Sequence, residues 1–254
     1  HSDMTNRMLS NNPFQTHGIN HLSPSSINTY ISDPPMWVAR YLFNIKSPTG
    51  PAAIRGIATE FSLAKKYEEG EFDYETLEAK FITLCADSML NLKDKKTEKE
   101  KKLLKNFGEV IDENFKYKNL KSYQERVEVQ LEDLPIPIMG YIDFRFENKI
   151  VDLKTTTRMP SQPTEAQKRQ MAFYSMAYPN NSLDLFFATH KDYKKFALKN
   201  LEEYKKQLEK VAYSIQRFLS ISSDKYELAS FVYPNFDSWT WGNKMKEEAK
   251  KIWN

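Results

Sequence analysis

The sequence predicts an α/β chain: a mixed (α+β) sheet flanked by helices and preceded by an N-terminal helical portion. Three observations carry that expectation. Helical periodicity fills residues 22–118, strand-like alternation follows over residues 123–154, and helix-patterned and strand-patterned segments then alternate to residue 219. Of the 254 residues, 40% are hydrophobic and 13% aromatic, which suffices for a packed core. No run approaches the roughly 20 apolar residues that a membrane helix requires.

The elements follow in order. His1-Ser2-Asp3-Met4 reads as an expression scar, and residues 1–21 as scar plus tail. Ser23-Pro24 is a helix-start signal, with Ile27, Tyr30 and Ile31 at helical spacing behind it. Pro34-Pro35 starts a second short helix bearing Trp37, Tyr41 and Leu42. Residues 47–51 are a loop, and a third helix is expected over residues 52–69, with Ile57, Phe61 and Ala64 as its core-facing stripe. Residues 74–118 stay helical apart from a break at residues 93–96. Residues 123–131, 136–146 and 150–154 read as strands, the last two joined by a turn at Asn148-Lys149 into a hairpin. A helix over residues 163–178, a strand over 183–189, a short strand over 196–198, a helix over 200–219 and a lysine-rich helix from Trp239 complete the chain. Residues 22–254 are expected to form a single domain: a mainly helical part to 118, a core sheet with its helix over 119–199, and C-terminal helices.

Several function classes drop out on composition. Cys85 is the lone cysteine, so neither an internal disulfide nor a thiolate cluster can form, and it reads as a buried small apolar residue. His17, His21 and His190 make no close-spaced pair, so a metal here should be held by oxygen ligands. A net charge of +3 is too small for a generic polycation; any polyanion would be met by locally arranged lysines. Residues 93–105 alternate in charge as a solvated helix face does, and Trp239 and Trp241 read as packing residues rather than stacking platforms.

The chemistry concentrates in the hairpin. Period-2 alternation puts Ile138, Gly140, Ile142 and Phe144 on one face and Met139, Tyr141, Asp143 and Arg145 on the other. On the next strand Val151 and Leu153 oppose Asp152 and Lys154. If both apolar sets face core, then Asp143, Asp152 and Lys154 turn to a common side. Two carboxylates on rigid strands suit a hard cation such as magnesium, and a nearby ammonium can orient a water or counter phosphate charge. Asp-x-Lys alone would equally describe a surface ion pair; its setting distinguishes it.

Gly140-Tyr141-Ile142-Asp143 followed by Ile150-Val151-Asp152-Leu153-Lys154-Thr155 resembles the core motif of the PD-(D/E)XK nuclease superfamily. Gln170-Met171-Ala172-Phe173-Tyr174 looks like the Gln-x-x-x-Tyr helix of its RecB-like and lambda-exonuclease-like branch. Residues 22–27 through Trp37 and Tyr41 resemble that branch's N-terminal helical motif, and Gly56-Ile57-Ala58-Thr59-Glu60 the helix delivering a further acidic ligand. The resemblance spans roughly residues 22–190.

It implies a restriction-endonuclease-like core in a single nuclease domain, and a phosphodiester hydrolase acting on DNA with Mg2+ or Mn2+, two ions in all. Asp143, Asp152 and the Leu153 carbonyl would be ligands, Lys154 would act on the attacking water, and Glu60 would be the third carboxylate. Gln170 and Tyr174, one helical turn apart, would contact the substrate strand or brace the site, with Tyr141 and Arg145 as further substrate-binding positions. Many members carry histidine where Glu60 stands. Asp33 fills the position where iron–sulfur relatives place a cysteine, so no iron–sulfur cluster is expected. The expected activity is a DNA exonuclease of recombination, repair or degradation, phage-encoded in keeping with so compact a chain, cytoplasmic in a bacterial or phage-infected cell. The alternatives are an endonuclease of the same fold or a cleavage-inactive DNA-binding module. No phosphate-loop motif is present, so unwinding or annealing would need a helicase or single-strand annealing protein as partner.

Overall fold

A computed structural model describes residues 12–254; the expected scar lies outside them. The described chain divides into two compact units, each assembled from separated segments.

The first unit gathers residues 12–47, 127–140 and 201–254. Helix α1, Pro13–Thr16, is capped by the Asn12 side chain and buries Phe14 completely, so the expected tail is ordered from this point. Helix α2, Pro24–Ser32, starts at a reciprocal Ser23–Ser26 cap with proline in its first turn, as its sequence signal indicates. Helix α3, Pro34–Trp37, runs on into a π-helical turn over Val38–Leu42. Helix α8 spans Glu202–Leu219, α9 Lys225–Ala229 and α10 Asn243–Trp253. Met36 and Ala39 pack with Trp241, Met245 and Ala249. The final helix therefore begins at Asn243, after Gly242, and not at Trp239. Trp241 is packed as expected, but Trp239 is 92% exposed and corrects the reading of both tryptophans as packing residues: it precedes the helix whose apolar face would have buried it.

The second unit comprises Pro48–Arg126 and Tyr141–Asn200. Helix α4, Pro51–Glu69, ends at Gly70, whose φ of 93° is the left-handed conformation glycine adopts without strain. Helices α5, Tyr74–Asp87, and α6, Lys95–Asn114, pack with it. Strands β1 (Ser122–Val129), β2 (Ile138–Arg145), β3 (Lys149–Thr155), β4 (Ser182–Ala188) and β5 (Tyr193–Leu198) lie side by side in that order. The β2–β3 hairpin is antiparallel, β3 and β4 are parallel with helix α7 (Glu165–Ala177) between them in sequence, and β5 returns antiparallel. Ile54, Ala58 and Leu63 of α4 meet Phe144, Val151, Leu153 and Phe186 of the sheet in one apolar cluster, which also buries Cys85.

Two expectations about α4 and α6 need correcting. Ala64 is buried as expected, but Ile57 is 45% exposed, and the buried arc of α4 is Ile54, Arg55, Ala58, Thr59, Ser62, Leu63 and Ala64. Polar residues enter that arc because they have partners. Arg55 forms an ion pair with Glu100 of α6, and Thr59 Oγ1 donates to the Arg55 carbonyl at 2.9 Å. The charge-alternating start of α6 is accordingly not wholly solvated, since Glu100 is only 8% exposed. Among the described residues, no helix is long and apolar enough to cross a membrane.

Candidate active site

The site grows from the β2–β3 hairpin. The register pairs Phe144 with Val151 and Arg145 with Ile150; continued by one residue it sets Asp143 across from Asp152. Phe144, Val151 and Leu153 go to the apolar cluster, so alternation sends both aspartates the other way. Asp143 Oδ2 accepts the Leu153 N–H at 3.2 Å, which ties one carboxylate to the strand carrying the other. Lys154 Nζ lies 2.9 Å from Asp152 Oδ2.

Asp152 is 1% exposed, whereas a ligand on an exposed strand face was expected. β3 is a central strand covered on both faces, with Ile150 buried on the Asp152 side as well. The contact with Lys154 has the distance of an ion pair without the angles of a hydrogen bond, so neither Asp152 oxygen receives a hydrogen bond. A buried carboxylate in that condition costs several kcal/mol, roughly, relative to one in water.

Helix α4 brings Glu60 to the same place. Gly56, one turn earlier, faces the end of β3; a Cβ there would meet Thr155 Oγ1 at 3.5 Å, an ordinary contact, so the approach does not depend on glycine. Gln124 of β1 joins the two carboxylates, its Nε2 donating to Glu60 Oε1 and, at 3.3 Å, to Asp143 Oδ1. On the far side stands α7, begun by a Thr164–Gln167 capping box. Gln170 Oε1 accepts from Lys154 Nζ at 3.2 Å, Gln170 Nε2 donates to the Tyr174 hydroxyl at 3.1 Å, and that hydroxyl donates to the Tyr141 carbonyl at 2.8 Å.

Crowding sets the charge states. Burial and the nearby charge of Asp152 push the Glu60 carboxyl up to about 7, against the lowering effect of hydrogen bonds with Gln124 and Asp143 and of the Lys154 charge. Burial, then Asp152 and Glu60, raise Asp143 well above the usual carboxylate range. Burial alone would lower Lys154, but Asp152 and Asp143 outweigh it and the ammonium is held charged. Burial and the three carboxylates keep the Tyr174 phenol neutral, a fixed donor.

The structure thus brings Glu60, Asp143, Asp152, Lys154, Gln170 and Tyr174 together. Tyr174 is 1% exposed and braces the site rather than facing a substrate. Tyr141 is half exposed beside it. Arg145 lies on the Asp143 face, but its Nε donates to Glu125 at 2.8 Å and its guanidinium sits over the Tyr178 ring. Two residues escaped sequence reasoning. Gln124 looked like an ordinary polar position on an alternating strand. Arg55, which the sequence did not single out, donates to Thr155 Oγ1 and to the Thr155 carbonyl, both at 3.2 Å, and fixes the end of β3 from behind.

The donor set fits a hard divalent cation. Asp152 offers two oxygens with no competing hydrogen bond, and Asp143 stands opposite on the same face. The expected three-carboxylate cage is not closed, since no three acidic, histidine or cysteine side chains among the described residues are gathered around one ion position. The Gln124 amide, engaged with both Glu60 and Asp143, stands in the way.

A five-stranded mixed sheet with paired carboxylates and a lysine on adjacent strands defines a nuclease-type site. The profile of the PD-(D/E)XK nuclease superfamily matches residues 21–250, and the chain belongs to that superfamily. A solved structure with a similar fold is that of a candidate exonuclease from Eubacterium rectale, at 12% identity and a TM-score of 0.57, covering 85% of this chain and 83% of that one. The structure of SSO0001 aligns over 76% of this chain and 83% of its own at 14% identity, but its TM-score of 0.35 carries nothing further. No curated protein sequence matches the chain.

Proposed function

We propose that this chain is a divalent-metal-dependent DNA exonuclease, hydrolysing phosphodiester bonds in the recombination, repair or degradation of DNA. The observation that carries the reading is Asp152, buried on a central strand beside Asp143 and Glu60, with the Lys154 ammonium 2.9 Å from one oxygen and no donor to the other. A purely structural carboxylate would have been supplied with donors, as Glu100 is by Arg55. A cleavage site instead needs oxygens held ready for a cation.

Asp143, Asp152 and the Leu153 carbonyl would hold Mg2+ or Mn2+. The ion would polarise a phosphoryl oxygen and acidify a water. Lys154, fixed by Asp152 and Gln170, presents its ammonium where charge accumulates on the phosphorus oxygens, or orients the attacking water. Tyr174 and Gln170 hold that ammonium in one place, so no reorganisation is needed during reaction. The half-exposed Tyr141 ring supplies a surface against which a nucleotide can rest.

The test is a cleavage assay on end-labelled linear and closed-circular duplex DNA with Mg2+, alongside an EDTA control and the Asp152→Ala protein. Loss of linear DNA from its ends with the circle intact is the expected result. Cutting of the circle identifies an endonuclease, and DNA binding without cleavage identifies an inactive binding module; either outcome replaces the proposal.

A further inference from the structure

Gln124 departs from the rules of its strand. Its φ of 53° is left-handed, a conformation that is strained for any residue with a Cβ. Tyr123 points to the apolar side, its ring 5.3 Å from Phe144. The next two side chains should then alternate between faces. Instead, Gln124 reaches Asp143 and Glu60, while Glu125 reaches Arg145, which shares the Asp143 face. A left-handed residue in a bulged strand does this, re-aiming a side chain that regular pairing would direct elsewhere. The strain is spent on placing one amide nitrogen between two carboxylates.

We propose that Gln124 stands in for the cation, its amide occupying the space between Glu60 and Asp143 until the ion displaces it. The inference rests on the metal-dependent reading above. The Gln124 amide nitrogen carries two N–H donors, one for each carboxylate, and it occupies the space an ion between them would need. Glu60 then joins the ligand set only when Gln124 lets go.

The test titrates Mn2+ alone, without DNA, into the full chain at pH 8.5 by calorimetry, comparing it with Gln124→Gly. Glycine keeps the left-handed backbone and relieves its strain, so the fold should survive the loss of the amide. The expected result is Mn2+ binding about tenfold tighter in Gln124→Gly, because the ion no longer competes with a hydrogen-bond donor to charged groups. Gln124→Asn, one methylene shorter and tolerant of the same backbone, should fall between the two. Equal or weaker binding by Gln124→Gly overturns the placeholder role while leaving the metal site standing. Absence of Mn2+ binding by the unaltered chain overturns the metal-dependent reading as well.

Discussion

Two charged clusters meet the end of β3, one at Thr155 and one at Asp152–Lys154, and their satisfaction differs. At Thr155, the buried Arg55 has an ion pair to Glu100, hydrogen bonds to the Thr155 hydroxyl and carbonyl, and the Phe107 ring beneath its guanidinium at 4.5 Å. Three residues earlier, Asp152 is as deeply buried and receives no hydrogen bond, while Asp143 and Glu60 share one amide. The first cluster is balanced and keeps the fold; the second gathers three carboxylates around one ammonium, an excess of negative charge that protons or a cation from outside can offset. Burial of charge does not by itself mark a site. What marks it is burial with partners withheld.

The largest break of that comparison is Asp152→Ala. Cleavage should fall by about a thousandfold or more, since a metal's transition-state stabilisation amounts to several kcal/mol. In EDTA, however, the variant should melt no lower than the unaltered chain, because a buried carboxylate crowded by Asp143 and Glu60 has been removed. A melting curve with a clear drop would mean that Asp152 is structurally satisfied after all. The mirror experiment is Arg55→Met, which strands Glu100. Breaking a buried pair by removing one partner costs about 3–5 kcal/mol, so chemical denaturation should show a loss of that order in metal-free buffer. A loss under about 1 kcal/mol would show that solvent rescues Glu100 and that the two clusters are less different than they look.

The catalytic hairpin was legible in sequence because its information is local. Two strands with unbroken period-2 alternation fix the direction of Asp143, Asp152 and Lys154 without reference to the rest of the chain. Gln170 and Tyr174 were legible for the same reason, four residues apart on a capped helix. Glu60 was reached through Gly56, although the stripe argued beside it, Ile57 and Phe61, proved to lie off the buried arc. That arc is decided by Glu100, forty residues away, which makes Arg55 a buried residue. Gln124 was illegible for a different reason: the bulge that aims it breaks the very alternation from which faces are read. Trp239 shows the remaining limit, since a lysine-rich amphipathic pattern does not locate the first turn of a helix to better than a few residues.

Within the unsatisfied cluster, Lys154 and its brace separate by degree. Lys154→Ala should slow cleavage by about a hundredfold, as the loss of one preorganised electrostatic group does, while Mn2+ affinity stays within a few-fold. Collapse of Mn2+ binding would put the lysine among the groups that hold the ligands. Tyr174→Phe removes the donor to the Tyr141 carbonyl and the acceptor for Gln170. A rate lower by about tenfold is expected, with little change in KM if the phenol only braces Lys154. A selective rise in KM would place Tyr174 against the substrate instead.

The smallest expected effect is a slope of stability with pH, and its sign tests the charge excess directly. Glu60 is raised from an ordinary carboxylate value to about 7 by burial and by Asp152, and Asp143 is raised by burial and the same neighbours. Between pH 4.5 and 7 the folded chain therefore binds more protons at these groups than the unfolded chain does. Stability contributed by a raised carboxyl pKa is present at low pH and is lost as pH rises through the folded value. The metal-free protein should accordingly lose melting temperature by a few degrees from pH 5 to pH 7.5, beyond any background set by other groups. Glu60→Gln should flatten that slope, because its side chain has no proton to lose. Saturating Mg2+ should flatten or reverse it, because the ion binds the deprotonated carboxylates and stabilises the state that pH alone penalises. The balanced cluster makes the internal control: Arg55→Met leaves Glu60, Asp143 and Asp152 in place, so the part of the slope that Glu60→Gln removes should survive in it. If the slope in EDTA were absent, or if Arg55→Met removed it, the negative charge would not be concentrated where Glu60, Asp143 and Asp152 meet.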